Sequence, residues 1–462
     1  MNSANDKLEA IKKLSKTNNN LKYLLPFLIC IIGEICMYTI FRKGFGTHIS
    51  PIVFTLFGLG VGLMFIRILL ASYNGQFLYN NETSIVPTKH NKYYKYTSWV
   101  LLICFGLWYW KSSTIFSSLA INFDTNPYVT GSDVIPNVMS YVKRTVAGEF
   151  PYQPIQGKEW IKVLMPTYLT MTWLPYLPAE ILNFDYRWIP VFALSICMVV
   201  YYKQNASLKS NQLYFWIAFI APILFLYWYT RYNKDELKLT VEGLVAAYYF
   251  LLAFSLAKKK FSWVVATVLL CILSRFSLVF WLPLLVLVIW KEYGIKFAVK
   301  GILLCVAGVV LLYGVFMLKD PMIFINAVKY YGTATVEEWL IADWLLAEGG
   351  KHPFSLSRGT GWAIWFYDYV DGSLEYKINV LKNVQMIAVV LTTILLCWHY
   401  WKHKNQINGF LYALAGLKIS LVMFYSFVQI PYTYLYILPV LLNLPILLFG
   451  LQVMNNKNAT EA

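Results

Sequence analysis

Long apolar runs are the feature of this sequence that most constrains its fold. A membrane-spanning helix needs about 20 apolar residues, and thirteen runs of the 462-residue chain approach or reach that length. The candidate spans are Leu24–Phe41, Ile52–Ala71, Ser98–Ala120, Ile161–Leu182, Trp188–Tyr202, Gln212–Tyr229, Leu237–Ala257, Phe261–Ser274, Phe276–Trp290, Phe297–Leu318, Val384–Trp401, Gly409–Phe427 and Tyr432–Leu451. With 58% hydrophobic and 13% charged residues, the chain is predicted to be an all-α polytopic membrane protein. We expect one transmembrane domain over residues 1–451 and a short cytoplasmic tail over 452–462.

Lysine and arginine predict how the spans are oriented. Cytoplasmic loops carry an excess of both residues, and here they concentrate in short loops such as Lys258–Lys260. The main outer loops are then 121–160 and 319–382. The formal net charge of +16 is therefore explained by membrane orientation and by anionic lipids as partners. No basic-aromatic groove or zinc-finger spacing accompanies it, so we expect no nucleic-acid partner.

One run conflicts with this orientation. If Ile161–Leu182 and Trp188–Tyr202 both cross the membrane, the Lys258–Lys260 cluster falls on the outer side. The first of these runs contains three prolines, which are Pro166, Pro175 and Pro178. Proline removes a backbone donor and breaks a helix, so this run is either broken or re-entrant with both ends outward, or one of the first three spans is miscounted. A broken segment would line a cavity, because bare backbone is not tolerated in lipid.

The first outer loop holds the main candidate for a catalytic group. Residues Asp133 to Gly148 predict a short amphipathic helix that lies in the membrane interface. Its apolar side is Val134, Val138, Tyr141, Val142 and Val146, and its polar side is Asn137, Ser140, Lys143 and Arg144. A carboxylate at Asp133 could meet a lipid headgroup and a water-soluble acceptor together. Asp133 could also be a helix N-cap, and Asp124, in a turn-like stretch, is the competing acid.

A second group of candidates consists of charges beside later spans. Arg275 separates two short apolar runs, and its guanidinium could bind phosphate oxygens or could snorkel to ordinary headgroups. Arg231, Lys234, Asp235 and Glu236 cluster in one outer loop, as substrate contacts or as a solvated surface. His352 and Arg358 lie in the Trp-rich loop 319–382, which predicts interfacial helices and a binding lip. Glu34, Glu180, Glu242 and Lys418 favour structural hydrogen-bonding or snorkelling roles.

These features resemble the GT-C superfamily of integral-membrane glycosyltransferases, which use lipid-phosphate-linked sugars. The likeness covers roughly residues 98 to 290. Its motifs are Asp133, then Gly148-Glu149-Phe150-Pro151-Tyr152, Met165-Pro166-Thr167-Tyr168 and Trp173-Leu174-Pro175, and later Asp235-Glu236, Lys258–Lys260, Arg275 and Leu282-Pro283. The resemblance implies a GT-C-like bundle of about 13 hydrophobic segments with interfacial helices in the outer loops.

The resemblance also implies an activity, namely inverting transfer of a sugar from a polyprenyl-phosphate donor to an acceptor hydroxyl outside the cytoplasm. Asp133 would be the general base. Arg275, Arg231, Lys234, His352 and Arg358 would bind the donor phosphate. Asp235, Glu236, Tyr152 and Lys158 would bind substrate. No cofactor is expected, because no nucleotide motif is present. The paired loop acids of the family are not evident, so no metal site is expected, although a divalent metal stays open.

The partners that follow are the lipid-linked sugar and a glycan, lipid or protein acceptor. The expected location is the inner membrane of a bacterium, with the active site facing outward to serve cell-envelope glycans. Two other functions stay open. A transporter or lipid flippase would show inverted repeats and charges deep in several spans. A polymerase or ligase of lipid-linked glycans would share the outward site and the lipid-phosphate chemistry.

Overall fold

The computed structural model describes residues 2–75, 92–119, 132–155, 165–208, 211–340 and 352–455, with residues 2–19 and 92–95 described by their backbone only. These residues are largely helical and include no strand. The first ten α-helices are α1 (Asn2–Thr39), α2 (Gly46–Tyr73), α3 (Lys92–Ser117), α4 (Val134–Val146), α5 (Thr170–Trp173), α6 (Leu177–Ile181), α7 (Trp188–Asn205), α8 (Gln212–Tyr232), α9 (Lys234–Leu239) and α10 (Glu242–Lys258). The others are α11 (Phe261–Ile272), α12 (Leu282–Tyr293), α13 (Ile295–Val309), α14 (Val315–Met317), α15 (Ile323–Trp339), α16 (Ala363–Tyr369), α17 (Leu374–His403), α18 (Gly409–Ser426), α19 (Ile437–Leu441) and α20 (Asn443–Asn455).

Nine helical stretches in the described residues are long and apolar enough to cross a membrane. They are Asn20–Thr39, Gly46–Tyr73, Tyr96–Ser117, Gln212–Tyr232, Phe276–Tyr293, Ile295–Met317, Leu374–His403, Gly409–Ser426 and Thr433–Asn455. Each coincides with a span predicted from the sequence. The all-α polytopic class is therefore confirmed, whereas the count of thirteen segments is not. Of the other four predicted runs, three form helices that are too short or too polar to count as spans. Two of them are the 17-residue α10 and the 12-residue α11.

The fourth run is the proline-rich one. In its described part the chain forms only α5, the 3₁₀ turn Leu174–Tyr176 and α6, so the helix is broken as the prolines predict. The Arg187 guanidinium at the start of α7 donates to the carbonyl oxygens of Leu119 at 2.9 Å and Phe116 at 3.1 Å, just past and within the end of α3. The segment between α3 and α7 thus leaves and returns at the same end of the bundle, which removes the orientation conflict.

The two ends of the bundle differ chemically. The Lys258–Lys260 turn joins α10 to α11 at one end. At the other end Arg275, which follows α11, forms an ion pair with Glu242, the first residue of α10. One end therefore carries clustered lysines, and the other carries paired acids and arginines.

The centre of the bundle is formed by α18 and by the stretch Thr433–Asn455, whose most apolar windows are 89% and 94% buried, against 17% for Ile295–Met317. A fully buried ion pair joins this centre to α1. The Lys418 ammonium lies 2.6 Å from both Glu34 carboxylate oxygens, and the Asn443 amide donates to the same carboxylate at 2.8 Å. Buried charges persist when paired and hydrogen-bonded in this way, which agrees with the structural role expected for both residues.

Two glycines one turn apart let α2 approach α18. A Cβ on Gly58 would lie 2.8 Å from both Glu34 and Val422, and a Cβ on Gly62 would lie 2.4 Å from Ile419 Cγ1. Small residues four apart permit this close helix packing in membranes.

Gly62→Ala is therefore expected to lower the free energy of unfolding by about 1–3 kcal/mol, the usual cost of overpacking. Thermal unfolding of the purified protein in detergent measures this. Gly106→Ala is the matched control, since nothing lies within 4 Å of a Cβ there. The control should be neutral or slightly stabilising, because alanine is the better helix former. Equal melting points for the two variants would contradict the close approach of α2 and α18.

Candidate functional site

The short amphipathic helix predicted in the first loop is present as α4, and Asp133 occupies its N-cap position. The Asp133 side chain makes no capping hydrogen bond. The hydroxyl of Ser132 caps the helix instead. It accepts from the Val134 amide at 3.2 Å and donates to the Leu239 carbonyl oxygen at 3.2 Å. The start of α4 is thereby fastened to the end of α9, and the Asp133 carboxylate is left available for another role.

The buried face of α4 is wider than the sequence predicts. Val134, Val138, Tyr141 and Val142 are buried as expected. Asn137 and Ser140, predicted on the polar side, are also buried, and Val146, predicted on the apolar side, is 50% exposed. The physical reason is that α4 packs against α5 and α6 rather than lying on a flat interface.

Asp133 and Arg275 are brought together through Tyr168. Burial raises the pKa of the Tyr168 phenol, the nearby Asp133 carboxylate raises this pKa further, and the Arg275 charge lowers it. The Arg275 guanidinium carbon lies 6.0 Å from the centre of the Tyr168 ring. The base and the phosphate-binding cation predicted from the sequence therefore both lie close enough to one tyrosine for their charges to affect it.

Arg275 is only partly satisfied by its neighbours. Its guanidinium pairs with Glu242 and donates to the Ser274 carbonyl oxygen at 3.2 Å. Within the described residues, Nε of Arg275 and Oε2 of Glu242 are buried without a hydrogen-bond partner. Glu242, for which the sequence favours a structural role, is the counter-ion that positions this arginine. Of the guanidinium donors, the Nε–H is therefore the one that is buried and unpaired among the described residues.

The charge of a second carboxylate, that of Glu338, reaches Asp133. Burial raises the pKa of Asp133, its own backbone N–H opposes that rise, and the neighbouring Glu338 charge adds to it. The Tyr432 hydroxyl donates to the Glu338 carboxylate at 2.7 Å. Like-charged acids at close range disfavour double ionisation, so at a given pH Asp133 holds its proton more strongly than an isolated aspartate would.

Two arginines extend the same electrostatic network. Burial lowers the pKa of Arg358, and the nearby Arg42 charge lowers it further. Arg42 is balanced by Glu236 at 3.5 Å. Nε of Arg358 is buried with no partner among the described residues. Gly359 allows this approach, because it has φ +82° and a Cβ there would lie 2.1 Å from the Arg42 carbonyl oxygen.

We call these residues the polar cluster. Its members are Arg42, Asp133, Tyr168, Glu236, Glu242, Arg275, Glu338, Arg358 and Tyr432. Of the residues predicted to act at the site, Asp133, Arg275, Arg358 and Glu236 belong to it. The Glu236 carboxylate is held by hydrogen bonds from Tyr38 and from the Asn233 amide at 2.7 Å, so its immediate role is to balance Arg42.

The other predicted residues lie elsewhere. Arg231, Lys234 and Asp235 are exposed, and no hydrogen bond or ion pair in the described residues joins them to the cluster. Arg231 instead borders an apolar groove of about 320 Å³ between α3, α7 and α8. Tyr152 is buried among aromatic rings, and its hydroxyl accepts from the Trp173 indole at 3.1 Å. Lys158 and Asp124 lie outside the described residues.

His352 has a different set of neighbours from Arg358. Its Nε2 lies 3.0 Å from Oδ2 of Asp368, and the same oxygen lies 2.7 Å from Nε2 of His48. The imidazole is therefore engaged with a carboxylate and a second histidine.

Sequence reasoning missed Arg42, Tyr168, Glu338 and Tyr432 as members of the cluster. Tyr168 and Tyr432 each follow a proline at or near the start of a helix, within Pro166-Thr167-Tyr168 and Pro431-Tyr432, and that pattern is a usable signal. Glu338 carries no such signal, since it is one of several acids in the long loop.

Comparison with known proteins completes the description of the site. The chain matches no family model, no curated protein and no solved structure. The residues of the polar cluster, together with the motifs in the sequence, are therefore the basis for any proposal of function.

Proposed function

We propose that the protein is an inverting glycosyltransferase of the GT-C type. It would move a sugar from a polyprenyl-phosphate donor to an acceptor hydroxyl at the extracytoplasmic face of a membrane. The observation that supports this proposal is that the charges of Asp133 and Arg275 both act on Tyr168, at one end of an apolar helical bundle. Transfer of this kind needs a base for the acceptor and a cation for the leaving phosphate within reach of one sugar.

Asp133 is suited to the role of general base. A catalytic base works best when its pKa approaches the working pH, and burial together with Glu338 raises the pKa of Asp133 in that direction. Because Ser132 caps the helix, the carboxylate is not committed to structure. The acceptor hydroxyl would pass its proton to Asp133 as its oxygen attacks the anomeric carbon from the face opposite the phosphate.

Arg275 and Arg358 are suited to the departing lipid phosphate. Both keep a buried Nε–H without a partner in the described part of the chain. Preorganised donors aimed at developing charge stabilise the transition state more than donors that must first reorganise. The apolar groove beside Arg231 would hold part of the lipid tail, with Arg231 and Lys234 at the membrane surface.

The orientation of the bundle follows from its two unlike ends. We assign the Lys258–Lys260 end to the cytoplasm by the positive-inside bias. The polar cluster then faces outward, in the inner membrane of a bacterium. Twelve of the thirteen apolar runs would cross the membrane, and the broken run Ile161–Leu182 would not. The outward-facing polar cluster would then be within reach of a cell-envelope acceptor such as a glycan, a lipid or a protein.

The proposal is tested by incubating purified protein with a panel of radiolabelled polyprenyl-phosphate sugars and acceptors from an envelope extract. Labelled product should form with at least one donor, and the Asp133→Asn variant should not form it. Vesicles containing the protein should show no movement of the lipid donor between leaflets. Movement between leaflets without any transfer would instead identify a flippase.

The orientation gives a separate prediction. Lys234 and Lys258 are both exposed, the first in α9 at the cluster end and the second at the lysine end. In a background lacking the 7 native cysteines, Lys234→Cys should react with a membrane-impermeant thiol reagent in intact cells. Lys258→Cys should react only after permeabilisation. The reverse pattern would place the polar cluster in the cytoplasm and contradict the proposed donor.

A further inference from the structure

Three potential metal ligands converge at the cluster end from separate parts of the chain. His48 lies in the first turn of α2, His352 precedes the 3₁₀ turn Leu356–Arg358, and Asp368 lies in α16. Oδ2 of Asp368 is 2.7 Å from Nε2 of His48 and 3.0 Å from Nε2 of His352. One ligand atom from each of the three residues lies within 4.8 Å of the others.

This spacing is close to that of a bound transition metal. With metal–nitrogen and metal–oxygen distances of about 2.0–2.2 Å, tetrahedral ligand atoms are about 3.3 Å apart. Opening the His48–Asp368 distance by about 0.6 Å and the His352–Asp368 distance by about 0.3 Å would therefore admit an ion. Two imidazoles and one carboxylate favour zinc-like ions over calcium or magnesium, which prefer oxygen ligands throughout. Three protein ligands leave a fourth position for water.

The surroundings hold the first histidine in a ligating pose. Nδ1 of His48 lies 3.2 Å from the Thr47 hydroxyl, which leaves Nε2 directed toward Asp368. The Trp365 indole donates to the His48 carbonyl oxygen at 2.9 Å, and its ring centre lies 5.4 Å from the imidazole. Partners on the second ring nitrogen orient metal-binding histidines in this way. The three side chains are only 21–27% exposed, so an ion could enter yet remain sheltered.

We propose that His48, His352 and Asp368 bind one divalent transition-metal ion of the zinc class. The ion would fasten the segment 352–369 to the start of α2. That segment carries Arg358 and places Gly359 against the Arg42 carbonyl oxygen, so the ion would also stabilise one wall of the polar cluster. This inference does not depend on the glycosyltransferase proposal, because the site is recognised by its ligands alone.

The test uses the full chain, purified with a histidine-free tag, stripped with a chelator and titrated with Zn²⁺. His399 and His403 must first be changed to alanine, because their rings are 4.6 Å apart on α17 and could bind zinc themselves. In this background we expect one zinc per chain and a melting temperature that rises with zinc concentration, as mass action requires. Co²⁺ in place of zinc should give the visible absorption bands of a low-coordinate site.

Removal of a ligand supplies the decisive comparison. His48→Ala, His352→Ala and Asp368→Asn should each weaken zinc binding by more than the roughly 10–100-fold that loss of an outer partner costs. Asp371→Asn, an exposed carboxylate three residues from Asp368, should bind zinc like the parent. Melting of the variants in chelator checks that they fold. Asp368→Asn preserves shape and hydrogen-bonding capacity, so it remains informative if an alanine variant fails to fold. Undiminished zinc binding by Asp368→Asn, or no zinc binding by the parent, would overturn the metal site and leave a hydrogen-bonded triad.

Discussion

Asp133→Asn is expected to slow sugar transfer by about 10²–10⁴-fold, the usual contribution of a general base, while expression and donor binding stay near wild type. Asparagine is nearly isosteric with aspartate but cannot accept a proton at neutral pH. The Asp133 side chain makes no capping hydrogen bond, since Ser132 caps α4. The substitution should therefore remove chemistry without removing structure. Initial rates in matched detergent, with the melting temperature of each variant, measure both effects.

Two further carboxylates serve as controls for that result. Asp235→Asn alters an exposed acid in α9 and should leave the rate nearly unchanged. Burial is the main cause of the raised pKa of Asp133, and Glu338→Gln removes the charge that adds to that rise. Because the base must be deprotonated, the fall of the rate at acid pH should then move to lower pH. An Asp133→Asn enzyme with a normal rate would exclude Asp133 as the base. If Asp133→Asn kept a normal rate and Asp124→Asn were inactive, the base would instead be Asp124.

The parts of the fold that depend on local composition could be predicted from the sequence. An apolar run long enough to span a membrane can be recognised from the sequence alone, because the removal of its apolar surface from water dominates the free energy of its insertion. The break in the run Ile161–Leu182 was likewise predictable, since proline acts on the backbone of its own segment. The chemical difference between the two ends of the bundle was also predictable. Lys258–Lys260 and Arg275 lie directly beside the ends of apolar runs, so each marks the end of the bundle at which its run stops.

Pairings between distant segments were not predictable in the same way. Glu338 and Asp133 meet only because α15 and α4 fold toward the same end, and no spacing in the sequence records this. The amphipathic pattern predicts a polar face at Asn137 and Ser140, whereas both residues are buried because α4 packs against α5 and α6. The grouping of His48 with His352 and Asp368 is not predictable for a related reason: the partners lie far along the chain, so the short ligand spacing that identifies many metal sites is missing.

Replacing Arg275 should also have a large effect, and its ion pair dictates how the experiment is designed. Arg275→Ala alone would leave Glu242, which is 1% exposed, as an uncompensated buried charge. Breaking a buried pair from one side typically costs about 3–5 kcal/mol of stability, so lost activity in that variant would be ambiguous. Neutralising both partners, as Arg275→Met with Glu242→Gln, should retain the fold because neither charge remains.

We expect the double variant to melt near the wild-type temperature and to transfer sugar about 10²–10³-fold more slowly, the cost of one preorganised donor at a developing oxyanion. Arg275→Lys should recover part of this rate, because the charge remains while the fork that grips two phosphate oxygens is lost. Glu242→Gln alone is the matched control. It removes the counter-ion but keeps the guanidinium charge, and its amide oxygen can still accept from that guanidinium, so its rate should fall less than the rate of the double variant. Donor binding, followed by exchange of a fluorescent polyprenyl phosphate, separates ground-state from transition-state effects. A double variant with wild-type turnover would mean that Arg275 only anchors α11 to α10 and that the leaving phosphate is stabilised elsewhere in the polar cluster, with Arg358 as the next residue to replace.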